Sequence, residues 1–480
     1  MPSRSVIEVD VLIPVHNATD TLRATIESAM NQEPSHDDDN VEIQIDLDVH
    51  ICCYDDGSTD TSWSILKDLE DQHMKNSRQC SSICCDGSKR SRVLTKLWLG
   101  KEATSRGAGY ARNRAAQLRP NPNPDGFLCW LDSDDLMAPT RIYRQVQYLL
   151  SLEEEARKRA LLGCTFERDP PDSTWHYSAW ANGLTDDRLS LERFRELTII
   201  QPSWMMQRSR FAEVGGYVEA PPLNDSDDSV ECSVSIQKFE LIHPVFDTPT
   251  TLRLAEDLRF FHAHLHSNGT LNLLRHDPPL VIYRHRAGLS QSTTTPRKLL
   301  LQLRTLAFER MVLESGEIWK ENGFCIWGAG RDGKDFVKAL SDTNRKRIRC
   351  MVDVDDRKIA IGSYVNRDIR VNIPIMHFSL LAKDESLRSS LYEQWTTGQN
   401  HNLPGFGKIR KGRNLTGPQG LPSAKKPKLS NKGSVDPQFK SLLRELPVVV
   451  CVSMYRTNGA LEHNVKQIGR IEGEDLWHFI

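Results

Sequence analysis

The sequence predicts an α/β protein with a mainly parallel sheet, followed by a smaller Rossmann-like α/β unit. Three observations carry that reading. Short apolar runs alternate with amphipathic stretches through the first third of the chain, which is the pattern of βαβ units. Those runs stop at turns rich in Asp, Asn and Gly. The chain is 480 residues long, enough to bury more than one domain-sized core.

Taken in order, residues 9–15 read as the first strand, closed by Pro14 and Asn17. Residues 21–32 follow as a helix with Leu22, Ile26 and Ala29 on one face, the spacing that 3.6 residues per turn requires. Residues 49–54 form the next strand, and residues 61–69 the helix behind it, striped by Trp63, Leu66 and Leu69. Residues 127–131 are a wholly apolar third strand, and residues 140–152 continue as a helix. Three stretches look inserted: residues 76–92, residues 219–247, and a basic low-complexity segment over residues 397–440. Their composition cannot bury enough apolar surface to offset ordering entropy, so loops or disorder are expected there. The expected organisation is one domain over 1–300, a helical linker over 301–323, and a second unit over 324–396 and 441–480.

Charge and cysteine content narrow the classes. Lys plus Arg number 62 against 64 Asp plus Glu, a formal net charge of -2. A globally basic nucleic-acid coat is excluded, while a local basic patch is not. No apolar run approaches the roughly 18 residues that a membrane span needs. The first residues carry no basic stretch ahead of a long apolar one, so no secretory leader is expected and the cytoplasm is the expected location. Lys425-Lys426-Pro427-Lys428 also has the form of a short nuclear-import signal, which adds a nuclear fraction. The 11 cysteines show no repeated zinc spacing, and an odd count suits reduced thiols.

The chemistry lies in acids at strand ends. Asp55-Asp56-Gly57-Ser58-Thr59-Asp60 closes the second strand, and Asp132-Ser133-Asp134-Asp135 closes the third. Ligands of open α/β sheets bind outside the carboxyl ends of strands. Carboxylates two residues apart, Asp132 and Asp134, suit a hard divalent cation that bridges phosphate oxygens. Either cluster alone is equally well an ordinary turn. Two of them in one βαβ array point to a shared crevice.

These motifs carry a resemblance. Ile13-Pro14-Val15-His16-Asn17, the Asp55 run, Gly109-Tyr110-Ala111-Arg112-Asn113-Arg114-Ala115, the Asp132 run, Gly215-Gly216-Tyr217 and Glu256-Asp257-Leu258-Arg259-Phe260-Phe261 resemble, in order and spacing, the family 2 glycosyltransferases of GT-A fold. The resemblance implies a UDP-sugar donor and a divalent metal, Mn²⁺ or Mg²⁺. By that likeness Asp55 and Asp56 would meet the uracil or ribose, and Arg112 would lie by the nucleotide. Asp132 and Glu256 would also line the nucleotide-sugar site, with Asp134 and Asp132 on the metal. Asp257 would be the catalytic base. The bland reading of Glu256 and Asp257 is an acidic pair favoured by a helix N-terminus, and both readings can hold together.

One departure from the family pattern stands out. Many relatives carry Tyr-Arg-x-His after the acidic pair, where this chain has Tyr283-Arg284-His285-Arg286. Arg284, His285 and Arg286 are therefore open candidates for phosphate or RNA contact, or for a solvated basic turn.

Further on, Gly328-Ala329-Gly330-Arg331-Asp332-Gly333 follows an apolar strand, with Asp353 and Asp355 about 20 residues later. That is a dinucleotide fingerprint by spacing. With so short a chain behind it, a packing or docking role ranks ahead of cofactor binding. This second unit, with the runs at residues 168–174, 256–261, 352–355 and 475–479, resembles the queuosine-tRNA galactosyltransferases. That likeness implies UDP-galactose as donor and queuosine-containing tRNA as acceptor partner. The competing readings are an N-acetylglucosaminyltransferase acting on a glycan or protein, a catalytically silent RNA-binding scaffold, and an NAD-linked oxidoreductase.

Overall fold

The computed structural model describes residues 6–35, 45–80, 92–220, 247–248, 250–285, 295–396, 437–452 and 460–480. The chain divides into two compact units, Met1–Arg193 with Leu197–Leu303, and Phe194–Glu196 with Arg304–Ile480.

The first unit is the α/β structure expected. Its strands are β1 (Val6–Val15), β2 (Asp46–Asp56), β3 (Val93–Glu102), β4 (Phe127–Trp130), β5 (Leu136–Met137), β6 (Ala160–Cys164), β7 (Phe166–Asp169), β8 (Met205–Gln207), β9 (Thr270–Leu274) and β10 (Val281–Arg284). Seven form one sheet in the order β3-β2-β1-β4-β8-β6-β9, and β5-β10-β7 form a second. In the larger sheet β3, β2, β1 and β4 run parallel, β8 runs antiparallel to β4 and β6, and β6 pairs in parallel with β9. Strand β3 is absent from the expected elements. It sits at the edge of its sheet with Leu94 61% exposed, so its apolar signal is diluted by solvent-facing positions.

Apolar residues fill both faces of this sheet. Val9, Val11, Ile13 and Val15 of β1 pack on one side with Leu22, Ile26 and Leu66 from the helices Leu22–Met30 and Ser62–Cys80. Leu12, Cys52 and Trp130 pack on the other with Tyr110, Trp204 and Phe260. A sheet covered on both faces needs apolar residues at nearly every position, hence the continuous runs in the sequence. The Ser62–Cys80 helix continues into the first five residues of the expected 76–92 loop. The rest of that stretch, apart from Arg92 at the entry to β3, lies outside the described residues, as do 221–246 and 397–436 of the other expected insertions.

The second unit has strands β11 (Phe324–Trp327), β12 (Ile348–Asp353), β13 (Ser363–Asn366), β14 (Val371–His377), β15 (Val448–Val450) and β16 (Leu476–His478). They lie in the order β13-β14-β12-β11-β15-β16, all parallel except β13. That is the Rossmann-like arrangement expected, with the order of strand addition reversing between β11 and β15. The helix Pro437–Glu445 begins inside the stretch expected to be low-complexity. Cys52, Cys53, Cys129, Cys164, Cys325, Cys350 and Cys451 are buried and free of disulfides. Among the described residues no helix is long and apolar enough to cross a membrane.

Candidate active site

The parallel register brings the carboxyl ends of β1, β2 and β4 together: Val15 pairs with Asp55, and Leu12 with Trp130. The strand order reverses at β1, between β2 and β4, so a crevice opens there by topology. Its two walls are the segment after β1 and the turn after β4.

The wall on the β2 side is cross-linked by its motif residues. His16 Nδ1 donates to the Asp56 carbonyl at 2.7 Å, and Thr59 N donates to Asn17 Oδ1 at 2.9 Å. Asp56 is 2% exposed, and its carboxylate accepts from Ser105 Oγ, Arg106 N and Gly107 N at 2.7–3.0 Å. Gly57, at φ +66°, lets this loop close: a Cβ there would stand 2.6 Å from Ser105 N. The expected uracil or ribose ligand Asp56 thus holds the segment that starts the helix Ala108–Ala115. Asp55 is wholly buried, accepting from Ser58 N at 3.1 Å, and its Oδ2 has no partner.

On the other wall the acid turn is held from three sides. Thr21 Oγ1 and Thr25 Oγ1 donate to the Ser133 carbonyl at 2.9 and 3.0 Å. Asp135 N bonds the Asp132 carbonyl at 3.1 Å, and Arg284 N donates to Asp135 Oδ1 at 2.9 Å. Burial, reinforced by the charges of Asp134 and Asp132, holds the Asp135 carboxyl well above the usual range. Asp135 is a buried prop under the turn, while Asp132 and Asp134 are partly exposed.

Arg112 joins this turn to the acidic pair. Its Nη2 donates to Asp132 Oδ1 at 2.6 Å and its Nη1 to Glu256 Oε1 at 2.8 Å. The guanidinium is 3% exposed; burial opposes its charge, but Asp132, Tyr217 and Glu256 raise its pKa overall. Glu256 and Asp257 open the helix Glu256–His266, whose N-cap Ala255 takes a left-handed φ of 54°. Asp257 is half-buried and accepts from Leu258 N at 2.7 Å. Burial, with Glu256 and Asp132 adding like charge, raises its carboxyl to about 7. A carboxyl poised there is matched to general-base work near neutral pH.

The donor set at the turn suits a hard cation. Asp132 and Asp134 offer oxygen ligands to Mg²⁺ or Mn²⁺. Among the described residues no group of three or more His, Cys, Asp or Glu could hold a metal by itself. A cation here would take its remaining ligands from a bound diphosphate or water.

Residues 10–81 match the model for glycosyl transferase family 2. The family 2 stretch contains Asp55 and Asp56 and ends before Arg112, Asp132, Asp134, Glu256 and Asp257. The chain is also 29% identical over 141 residues to the Escherichia coli protein named UDP-Glc:alpha-D-GlcNAc-diphosphoundecaprenol beta-1,3-glucosyltransferase WfaP. That similarity covers 29% of this chain and 41% of the E. coli protein, less than half of its length. Among solved structures, S. aureus TarS 1-349 with UDP-GlcNAc aligns over 71% of this chain and 84% of that one, at 13% identity and a TM-score of 0.35. A Pyrobaculum calidifontis mannosyltransferase, solved with GDP-Man and Mn²⁺, aligns over 65% of each chain at 12% identity and a TM-score of 0.37.

The remaining expected residues are placed differently from one another. Arg284 is partly exposed and its Nη2 donates to Thr25 Oγ1 at 3.2 Å, so it braces the acid turn. His285 N donates to the Asp169 carbonyl at 2.7 Å, and Arg286 lies outside the described residues. In the second unit, the Asp353 carboxylate is taken up by its own chain, accepting from Ala329 N and Lys358 Nζ at 2.8 Å and from Val354 N and Asp355 N. A Cβ at Gly333 would lie 1.9 Å from the Gly328 carbonyl, so this glycine serves close helix–strand packing. Sequence reasoning missed Thr21 and Thr25. Their signal was a pair of hydroxyls one helical turn apart, on the flank that faces the acid turn.

Proposed function

We propose that this chain is an inverting glycosyltransferase that moves galactose from UDP-galactose to the queuosine of tyrosine tRNA, at the wobble position. Asp257 carries the reading: a half-buried carboxyl raised to about 7, linked through Glu256 and Arg112 to the acid turn at Asp132. In the proposed step an acceptor hydroxyl gives its proton to Asp257 as its oxygen attacks the anomeric carbon. The bond to UDP breaks on the opposite face, so configuration inverts. Asp132 and Asp134 would hold a divalent cation, which when bound neutralises charge growing on the leaving diphosphate. Asp55 and Asp56 would frame the nucleoside end through the loop they close.

Support for a UDP-sugar comes from the family 2 stretch and from the E. coli relative, whose name specifies UDP-Glc. Galactose and queuosine rest on the resemblance at residues 168–174, 256–261, 352–355 and 475–479. A near-neutral chain would bring tRNA in through local positive surface, and the reaction would run in the cytoplasm. The test is incubation with UDP-galactose or UDP-N-acetylglucosamine, with and without queuosine-containing tRNA, followed by nucleoside mass analysis. A hexose gain on queuosine from UDP-galactose supports the proposal. Transfer only from UDP-N-acetylglucosamine, or only to a glycan, refutes it.

A further inference from the structure

We propose that Arg112 is a positioning residue and not a donor ligand: its guanidinium ties the acid turn after β4 to the first turn of the Glu256–His266 helix, and thereby sets where Asp257 stands relative to Asp132 and Asp134. The inference rests on the glycosyltransferase reading above. It assigns to Arg112 and Glu256 a role different from the nucleotide contacts that the sequence resemblance implies.

The geometry points to a strut. The two ends of the guanidinium reach separate carboxylates, Asp132 at 2.6 Å and Glu256 at 2.8 Å, which belong to elements far apart in the chain. Arg112 is 3% exposed and Glu256 7%. At that exposure the guanidinium presents almost no surface to a phosphate or ribose, and both of its Nη groups are already held by carboxylates. The strut is itself braced. Asn113, the next residue, accepts from Tyr217 N and donates to the Tyr217 carbonyl, both at 2.9 Å. The Tyr217 hydroxyl accepts from Trp130 Nε1 and Gln201 Nε2 at 2.7 Å. The guanidinium carbon lies 5.7 Å from the Tyr217 ring centroid, within the range of a cation–π contact. The helix that carries Arg112 is thus locked to Trp130 at the end of β4, next to the acid turn. One planar fork spanning two carboxylates does what a lysine ammonium, a single charge on a flexible stem, cannot.

The experiment separates turnover from donor affinity. Arg112→Lys, Glu256→Ala and Glu256→Gln are each assayed for UDP binding with Mn²⁺ by calorimetry, for kcat per UDP-binding site, and for melting temperature. A positioning role predicts that Arg112→Lys and Glu256→Ala lose about 100-fold in kcat, the cost of misplacing a reacting group by an ångström, with UDP affinity within about threefold of wild type. Glu256→Gln, whose carbonyl can still accept from Nη1, recovers most of that turnover. If Arg112→Lys does not fold, the Glu256 pair carries the same test, because it leaves the Arg112–Asp132 bond in place. Loss of UDP affinity of about tenfold or more in either Arg112→Lys or Glu256→Ala overturns the inference and makes the residue a donor ligand. A lower melting temperature with unchanged kcat per site overturns it in favour of a purely structural role. A wild-type protein that binds no UDP removes the glycosyltransferase reading itself, and the strut's role falls with it.

Discussion

Replacing Asp257 with Asn tests the proposed chemistry most directly. Burial and the charge of Glu256 raise this carboxyl to about 7, while the Leu258 N–H and Arg112 pull it down. At about pH 7 half of the molecules then hold the carboxylate, at about pH 6 roughly a tenth, and at about pH 5 roughly a hundredth. Values of kcat/KM should therefore fall about tenfold per unit on an acid limb centred near 7. Asn cannot take the proton, so Asp257→Asn should lose about 10²–10⁴-fold in turnover and show no acid limb there. UDP affinity should change little. The assay is initial-rate UDP release with queuosine-containing tRNA across about pH 5–9, for wild type and variant. A loss below about tenfold, or a limb that persists near 7 in the variant, would refute Asp257 as the base. Stability supplies an independent check with the opposite sign. Folding raises this group from 3.8 to about 7, so its ionisation opposes folding, and stability present below about pH 4 is lost as pH rises through 7. Asp257→Asn should accordingly melt higher than wild type at about pH 8 and no higher at about pH 4.

Four other perturbations have expected outcomes. Asp134→Asn should weaken Mn²⁺-dependent UDP binding by about tenfold or more, because a neutral amide is a poorer ligand for a hard cation; calorimetry with and without Mn²⁺ reads this. Asp56→Ala should cost about 3 kcal/mol in denaturant unfolding, since it strands the N–H groups of Arg106 and Gly107 that its carboxylate now receives. Arg284→Ala should lower the melting temperature by freeing Thr25 and the acid turn, whereas deletion of 398–434 should leave melting unchanged and reduce tRNA affinity in a salt-dependent manner. Filter binding at two salt concentrations distinguishes the two.

The α/β class, the βαβ order and the acids at strand ends were legible in the sequence. Each is written in local chemistry: apolar runs for strands buried on both faces, helical stripes such as Leu22, Ile26 and Ala29, and turn-forming Asp and Gly at the carboxyl ends. Edge strand β3 was not legible, because one side of it meets solvent. The role of Arg112 was hidden for a different reason. Its partners Asp132 and Glu256 lie 20 and 144 residues away in the chain, and only folding decides which carboxylates meet on one guanidinium. The same holds for Asp56, whose carboxylate looks free in the sequence but is filled by Ser105–Gly107, and for Arg284, which donates to Thr25. Residue type and spacing name the groups able to do chemistry. The raised pKa of Asp257 and the burial of Arg112 come from desolvation and from neighbours assembled in space, and so belong to the tertiary structure alone.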